Sequence, residues 1–125
     1  MADGRSTFLP RGPVGVWRAM RWSLKGLAIA WRTESSFRLE VCLFVVLGPL
    51  GLWLGQDGVE RALLIAPMLL ILIVELLNSA IEATVDRISF ERHALAGLAK
   101  DIGSAAVLMS FVLLVSMWLL VLLGR

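Results

Sequence analysis

The side chains with the clearest capacity for chemistry follow a long apolar run. Glu75, Asn78, Glu82 and Asp86 come directly after residues 62–74, which contain no charged residue. At about 100° per residue, a helix would place the three carboxylates within about 40° of one another and Asn78 about 60° to one side. The segment therefore predicts a polar stripe along one face of a helix whose preceding turns are apolar.

Glu75 lies inside a predicted membrane span, where the presence of an acidic residue has to be explained. If a membrane span begins at Ala62, ~30 Å of hydrocarbon at ~1.5 Å per residue ends near Ile81, about 9 Å beyond Glu75. A carboxylate at the centre of a span costs roughly 2.5–3.5 kcal/mol, and a shallower one costs less. No basic residue lies within the body of an apolar block to pair with it. Because intramembrane carboxylates usually mark a functional site, we interpret Glu75 as part of one, whereas Asp86 can alternatively cap the interface.

Further charged residues are expected at the same membrane surface. Glu34, Arg38 and Glu40 flank the start of the first apolar block, and Lys100 and Asp101 flank the start of the last. Two or three carboxylates at one interface can bind a hard divalent cation such as Mg²⁺, usually together with phosphate oxygens. A nearby lysine can balance phosphate charge. The residues alone thus favour an acidic, membrane-embedded site with a metal and an anion.

The elements that must position these residues are membrane spans. The chain of 125 residues is 58% hydrophobic with a mean hydropathy of +0.83, whereas soluble domains are about 45–50% apolar. The apolar residues fall in three blocks, and a helix needs about 20 residues to cross the hydrocarbon layer. We predict an all-α membrane protein with spans at about 37–55, 60–86 and 95–123, and with Pro49 inside the first.

The chain before the first span divides into two parts. Residues 1–13 contain two glycines and two prolines and are predicted to be flexible, while residues 14–125 are predicted to form one integral membrane domain. Over residues 14–32, an apolar stripe has helical spacing and a basic cluster lies about 110° away. The stripe contains Trp17, Met20, Leu24, Leu27 and Trp31, and the cluster contains Arg18, Arg21, Lys25 and Arg32. We predict an amphipathic helix in the headgroup layer rather than a helix packed on a soluble core.

The distribution of basic residues predicts the orientation. Residues 1–38 contain seven basic and two acidic residues, a balance of +5, and the connection before the third span adds Arg87, Arg92 and Lys100. By the positive-inside rule the N-terminus and this connection are cytoplasmic, which leaves the C-terminus on the opposite side. The isoelectric point of about 9.3 therefore reflects topology, and nucleic-acid binding is not needed to explain it. No secretory signal peptide is expected, since the first forty residues lack an apolar core with a cleavage site.

The polar stripe also carries a resemblance. Residues 75–87 read ELLNSAIEATVDR, which closely resembles the signature of the prokaryotic diacylglycerol kinase family. Residues 99–107, AKDIGSAAV, and the pattern between Lys25 and Arg38 are similar to the same family, so the resemblance runs from about Trp22 onward. It implies a homotrimer of three-span subunits in the bacterial inner membrane, each with an N-terminal surface helix. Such enzymes transfer the γ-phosphate of MgATP to the hydroxyl of membrane diacylglycerol and form phosphatidic acid at the cytoplasmic face.

The resemblance implies roles for individual residues. Glu75 matches the general base that takes the proton from the lipid hydroxyl, and Glu34 and Glu82 match the ligands of Mg²⁺ and the nucleotide. Further nucleotide-binding positions correspond to Glu91, Arg92, His93, Lys100 and Asp101. Positions that bind substrate or support the site correspond to Trp31, Arg38, Asn78, Asp86 and Ser104. From its residues alone, His93 would be a loop histidine, because it has no metal-ligating companion.

One position departs from the family pattern. The family has an arginine in the early surface helix that reaches the phosphates, and gap-free matching puts Gly15 there. With a shift in the chain, Arg11 or Arg18 can take its place.

Two alternative functions are kept beside diacylglycerol phosphorylation. Related enzymes phosphorylate undecaprenol, although residues 103–106, GSAA, look more like the diacylglycerol branch. A non-enzymatic proton-relay or small-transporter subunit would also use intramembrane carboxylates. That alternative predicts no ATP turnover, and it does not account for Lys100, Asp101 and the acidic residues meeting at one surface.

Overall fold

The computed structural model describes residues 12–88 and 94–125 of the chain. Those residues form four helices and no strand, and the helices are α1 Pro13–Thr33, α2 Ser35–Leu54, α3 Gly58–Ile88 and α4 Ala94–Leu123. The last three are long and apolar enough to cross a membrane. The predicted all-α class, with three such helices after an N-terminal amphipathic one, is confirmed. The predicted flexible segment lies outside the described residues, apart from Gly12 and Pro13.

A single non-helical residue separates α1 from α2. Glu34 has extended backbone angles (φ −109°, ψ 103°), and its N–H still donates to the Ala30 carbonyl at 2.9 Å. Arg38, in the first turn of α2, reaches back and donates from Nη1 to the carbonyls of Trp31 and Arg32, at 2.9 and 3.1 Å. A cation that hydrogen-bonds to the last carbonyls of a helix stabilises that helix end. Arg38 therefore stabilises the α1–α2 junction, where Glu34 lies.

The other end of the bundle contains the α2–α3 turn and the end of α4, and we call it the turn end. Asp57 Oδ1 accepts the Glu60 backbone N–H at 2.8 Å, as an N-terminal cap does. Arg61 Nε donates to the Leu52 carbonyl at 3.0 Å. Arg125 donates to the Leu54 carbonyl and forms an ion pair with Glu60 at 2.9 Å. Side chains thus satisfy the backbone groups that the helix ends leave free.

Helix α3 lies at the centre of the bundle, packed against both α2 and α4. The buried core consists of Met68 and Ile71 on α3 and Leu114 on α4. Trp118 packs against it and donates its indole N–H to the Leu64 carbonyl at 3.0 Å. Most other apolar side chains of the spans point outward, as expected of helices surrounded by lipid.

Candidate active site at one end of the bundle

The polar side chains gather at the end opposite the turn end, which we call the site end. It consists of the α1–α2 junction, about the last four turns of α3 and the first turns of α4. The spacing of the polar residues on α3 puts Glu75 deepest, Asn78 and Glu82 next and Asp86 at the rim. Their exposure follows that order, since Glu75 and Asn78 are buried, Glu82 is half-buried and half of the Asp86 side chain is exposed.

At the deepest point, two buried carboxyl groups lie against each other. Glu75 of α3 and Glu40 of α2 are 6% and 8% exposed, and their carboxyl groups lie close enough to interact directly. Among the described residues, the buried Oε2 of Glu40 has no hydrogen-bond partner. Glu34 and Glu82 lie within electrostatic range of Glu75. Four carboxyl groups from three segments of the chain therefore share this end of the bundle.

Asn78 connects the deep pair to the rim. Its side chain is 8% exposed, and its Nδ2 donates to Glu82 Oε1 at 3.4 Å, while its buried Oδ1 has no partner among the described residues. The buried Oγ of the neighbouring Ser79 likewise has no partner in the described part of the chain. An unsatisfied buried polar group costs about 1–3 kcal/mol, so these atoms, together with Glu40 Oε2, indicate a ligand or partner outside the described residues.

The rim carries an ion pair between α3 and α4. Lys100 Nζ of α4 forms an ion pair with Asp86 Oδ1 of α3 at 2.7 Å, and the two side chains are 41% and 50% exposed. A pair this exposed contributes only about 0–1 kcal/mol to stability. Its main consequence is to hold an ammonium group over the polar stripe.

A largely apolar groove opens beside the stripe, between α1 and α3. Its volume is about 640 Å³, and its lining includes Gly26, Leu27 and Ala30 of α1, Glu34, and Leu76 and Ala80 of α3. Small residues on both helices keep it open. A groove of this kind can accept a hydrocarbon chain and bring a polar head towards the Glu34 carboxylate.

Comparison with known proteins identifies the family. The model of the prokaryotic diacylglycerol kinase family matches residues 21–122, a stretch that includes most of α1 and nearly all of the three spans. The chain belongs to the prokaryotic diacylglycerol kinase family. It is 50% identical over 117 residues to a diacylglycerol kinase of Pseudomonas aeruginosa, a match that covers 91% of this chain and 95% of the relative. The diacylglycerol kinase of Escherichia coli K12 is 47% identical over 105 residues, with 84% and 86% covered. That of Haemophilus influenzae is 45% identical over 98 residues, with 78% and 83% covered.

The residues that the family resemblance singled out fall into three groups in the structure. Glu34, Glu75, Asn78, Glu82, Asp86 and Lys100 meet at the site end. Asp101 and Ser104 are exposed on the first turns of α4, Trp31 is exposed near the end of α1, and Arg38 stabilises the α1–α2 junction.

Four further residues lie outside the described part of the chain, namely Glu91, Arg92, His93 and Arg11. Gly15 and Arg18 are on the first turns of α1, and Arg18 lines a basic surface with Arg21 and Lys25.

The two carboxylates that the resemblance gives to Mg²⁺ come from different segments. Among the described residues, no three acidic, histidine or cysteine side chains come together as a preformed metal site. Mg²⁺ is usually held by one or two carboxylates, with waters and phosphate oxygens completing its shell. Glu34 at the helix junction and Glu82 on α3 fit that kind of donor set, in which nucleotide phosphates supply further ligands.

The sequence places Glu40 among the charged residues at the membrane surface but does not predict its contact with Glu75. Helical periodicity does not reveal which face of α2 meets α3. A signal was present, since Glu40 lies within the apolar block of residues 39–54, where a carboxylate is as anomalous as at Glu75.

Proposed function

We propose that this protein is a diacylglycerol kinase that phosphorylates membrane diacylglycerol with MgATP at the cytoplasmic face of a bacterial inner membrane. The single observation that carries the proposal is the buried Glu75 carboxyl group, held below the rim of a polar site on a membrane-spanning helix of this family. The hydroxyl of diacylglycerol lies just beneath the headgroups. A base that serves it must therefore lie within the membrane, as Glu75 does.

Glu75 acts as the general base. It accepts the proton of the lipid hydroxyl as the hydroxyl oxygen attacks the γ-phosphorus of ATP, the bond from that phosphorus to the bridging oxygen breaks, and ADP leaves. Phosphoryl transfer relies on positioning and on neutralising charge more than on covalent chemistry. A carboxylate within hydrogen-bonding reach of the attacking hydroxyl supplies the acid–base component. Glu40, in contact with Glu75, orients it towards the lipid.

Glu34 and Glu82 hold Mg²⁺ together with the nucleotide phosphates. The bound ion would neutralise the phosphate charge that develops during transfer. Asn78 donates to Glu82 and so sets the direction of that carboxylate. Lys100, fixed by Asp86, adds a positive charge at the rim, where the phosphates enter. Glu91, Arg92, His93 and Asp101 complete the nucleotide site, with Arg11 or Arg18 as the phosphate-contacting arginine of α1.

The lipid lies in the α1–α3 groove. Its apolar lining, with Leu27 and Leu76, suits an acyl chain, and Glu34 marks the polar mouth of the groove. A membrane lipid reaches this groove laterally, so its hydroxyl arrives beside α3 without leaving the bilayer. Residues 103–106, GSAA, resemble the diacylglycerol branch of the family more than the polyprenol branch, which favours diacylglycerol as the substrate.

The working unit is a homotrimer. Three spans are too few to surround a polar stripe, and buried atoms such as Glu40 Oε2 and Ser79 Oγ have no partner among the residues that the structure describes. A polar group facing hydrocarbon is costly, so subunit contacts are expected to cover the stripe. Cross-linking and light scattering in mild detergent should give a trimer, and a monomer would contradict this assignment.

Hybrid trimers test whether sites are shared between subunits. At a limiting Mg²⁺ concentration, subunits with Glu34→Ala and subunits with Glu75→Gln are each expected to have very low activity alone. If a site takes these two residues from different chains, mixing restores part of the activity, because some interfaces receive both intact residues. Sites built within single chains stay inactive in every mixture. We expect partial rescue.

The direct test of the function is transfer of labelled phosphate in mixed micelles. Purified protein is supplied with MgATP labelled at the γ-position and with either diacylglycerol or undecaprenol. Labelled phosphatidic acid is the expected product. Label confined to undecaprenyl phosphate would transfer the assignment to the polyprenol branch. Absence of label from both lipids would contradict a kinase and favour a proton-relay or transporter subunit.

A further inference from the structure

A close approach between α3 and α4 confines the side chain of Asn78. Gly103 of α4 is buried, and a Cβ atom added to it would overlap with Asn78 Oδ1. Asn78 Cγ would also lie 3.4 Å from that Cβ, which is at the short limit of normal contact. Among the described residues, the one side-chain hydrogen bond of Asn78 is that which its Nδ2 donates to Glu82 Oε1. The amide therefore occupies space that exists because residue 103 has no side chain.

Other glycines of the spans do not share this arrangement. A Cβ at Gly97, two turns earlier on α4, would meet no atom within 4 Å. A Cβ at Gly51 of α2 would contact only apolar side chains, at 3.3 Å and beyond. Gly103 is thus the glycine whose empty space is filled by a polar side chain of the candidate site, one that is more than nine-tenths buried and whose oxygen has no partner.

We propose that Gly103 is a positioning residue for phosphoryl transfer: its lack of a side chain lets Asn78 stand against α4 and hold the Glu82 carboxylate in place. This inference rests on the proposed function, since that function assigns Glu82 to the binding of Mg²⁺. A side chain at position 103 would push the amide aside and release Glu82. Residues that orient a metal-binding carboxylate affect metal affinity by about 10–100-fold when changed.

The test compares Gly103→Ala with Gly97→Ala. Both changes replace a glycine by alanine within α4, so both give the same gain in helix propensity. Gly103→Ala is expected to raise the Mg²⁺ concentration for half-maximal activity by about tenfold, with a parallel rise in KM for MgATP. Gly97→Ala should leave both within about twofold of the wild type. A Mg²⁺ titration of Gly103→Ala that superposes on that of the wild type would overturn the proposal.

A double variant separates positioning from general damage. If Gly103 acts through Asn78, adding Gly103→Ala to Asn78→Ala should change the Mg²⁺ requirement by less than about twofold, because the displaced side chain is already absent. Independent effects that multiply would contradict the proposal. The same background removes the steric overlap, so the double variant remains measurable even if Gly103→Ala alone folds poorly.

Thermal unfolding keeps this inference distinct from the proposed function. Gly103→Ala is expected to lower the unfolding midpoint of the intact protein, and the Asn78→Ala background should abolish that loss. If the wild type transfers no phosphate but this coupling is present, the function is wrong and the contact is right. If phosphate transfer is normal but the unfolding coupling is absent, the role of Gly103 is wrong and the function stands.

Discussion

The two ends of the helix bundle differ in whether their polar groups have hydrogen-bond or ion-pair partners. At the turn end, Arg125 pairs with Glu60, Arg61 donates to a backbone carbonyl and Asp57 accepts a backbone N–H. At the site end, buried atoms of Glu40, Asn78 and Ser79 have no hydrogen-bond partner in the described part of the chain. Both ends carry charged side chains, but at the site end the described residues leave buried polar atoms without partners.

This difference distinguishes structural polar groups from functional ones. At the turn end, each of these side chains satisfies free polar groups at a helix terminus, so it needs no ligand or second subunit. Each unsatisfied atom at the site end costs about 1–3 kcal/mol, a cost that persists only where a ligand, a metal ion or another subunit offsets it. The polar groups without partners are also the ones that surround Glu75. Changes at the two ends should therefore affect different measurements.

After loss of the base Glu75 itself, the largest effect is expected from the carboxylates assigned to the metal. Glu34→Ala and Glu82→Ala should each raise the Mg²⁺ concentration for half-maximal activity about tenfold or more and weaken nucleotide binding, because they remove groups that hold the ion. Glu60→Ala, at the turn end, is the control and should leave the Mg²⁺ titration unchanged. Curves for both site variants that superpose on the wild type would remove Glu34 and Glu82 from the metal site.

The contact between Glu40 and Glu75 predicts a second effect on turnover. Glu40→Ala removes the neighbour that orients the base and should lower kcat about tenfold, within the range that acid–base positioning contributes. Glu40→Gln keeps a hydrogen-bonding side chain of the same size and should retain most of the activity. Equal losses in the two variants would show that the charge of Glu40, rather than its hydrogen bond, matters.

A smaller effect is expected at the rim. Asp86→Asn weakens the hold on Lys100 and should raise KM for MgATP about threefold with kcat nearly unchanged, since the ammonium contributes to binding rather than to proton transfer. The exposed pair contributes little to folding, so the unfolding midpoint should stay close to that of the wild type. An unchanged KM would mean that Lys100 is positioned without Asp86.

The smallest effect is expected at the turn end. Arg125→Ala removes the pair with Glu60 and the contact with the end of α2, which should cost about 1 kcal/mol of stability or less. Phosphate transfer per folded molecule should be unchanged. A large loss of activity in fully folded Arg125→Ala protein would contradict the distinction between the two ends.

Most of the fold could be predicted from the sequence. Span composition and the spacing of the tryptophans on α1 gave four helices close to their observed limits, such as 14–32 against Pro13–Thr33 for α1. Pro49 and Pro67 lie inside α2 and α3, which continue through them. Spans tolerate proline because neighbouring helices and side chains can satisfy the freed backbone groups.

The candidate site was only half predictable. Helical periodicity places Glu75, Asn78 and Glu82 along one side of α3, because those relations are local. The contacts of Glu40 with Glu75, Lys100 with Asp86 and Gly103 with Asn78 join different helices. They depend on which faces pack together, and an apolar surface all round a span does not encode that choice in its periodicity.

The most direct test of the central claim makes the same substitution at two positions of α3, one at the site and one at the turn end. Glu75→Gln keeps the size and hydrogen-bonding capacity of the side chain but removes the base, so turnover should fall by ~10²-fold or more while the protein stays folded and membrane-inserted. Glu60→Gln, at the turn end, should transfer phosphate to diacylglycerol at nearly the wild-type rate. Near-normal activity of purified Glu75→Gln would contradict the account, because the base would then lie elsewhere.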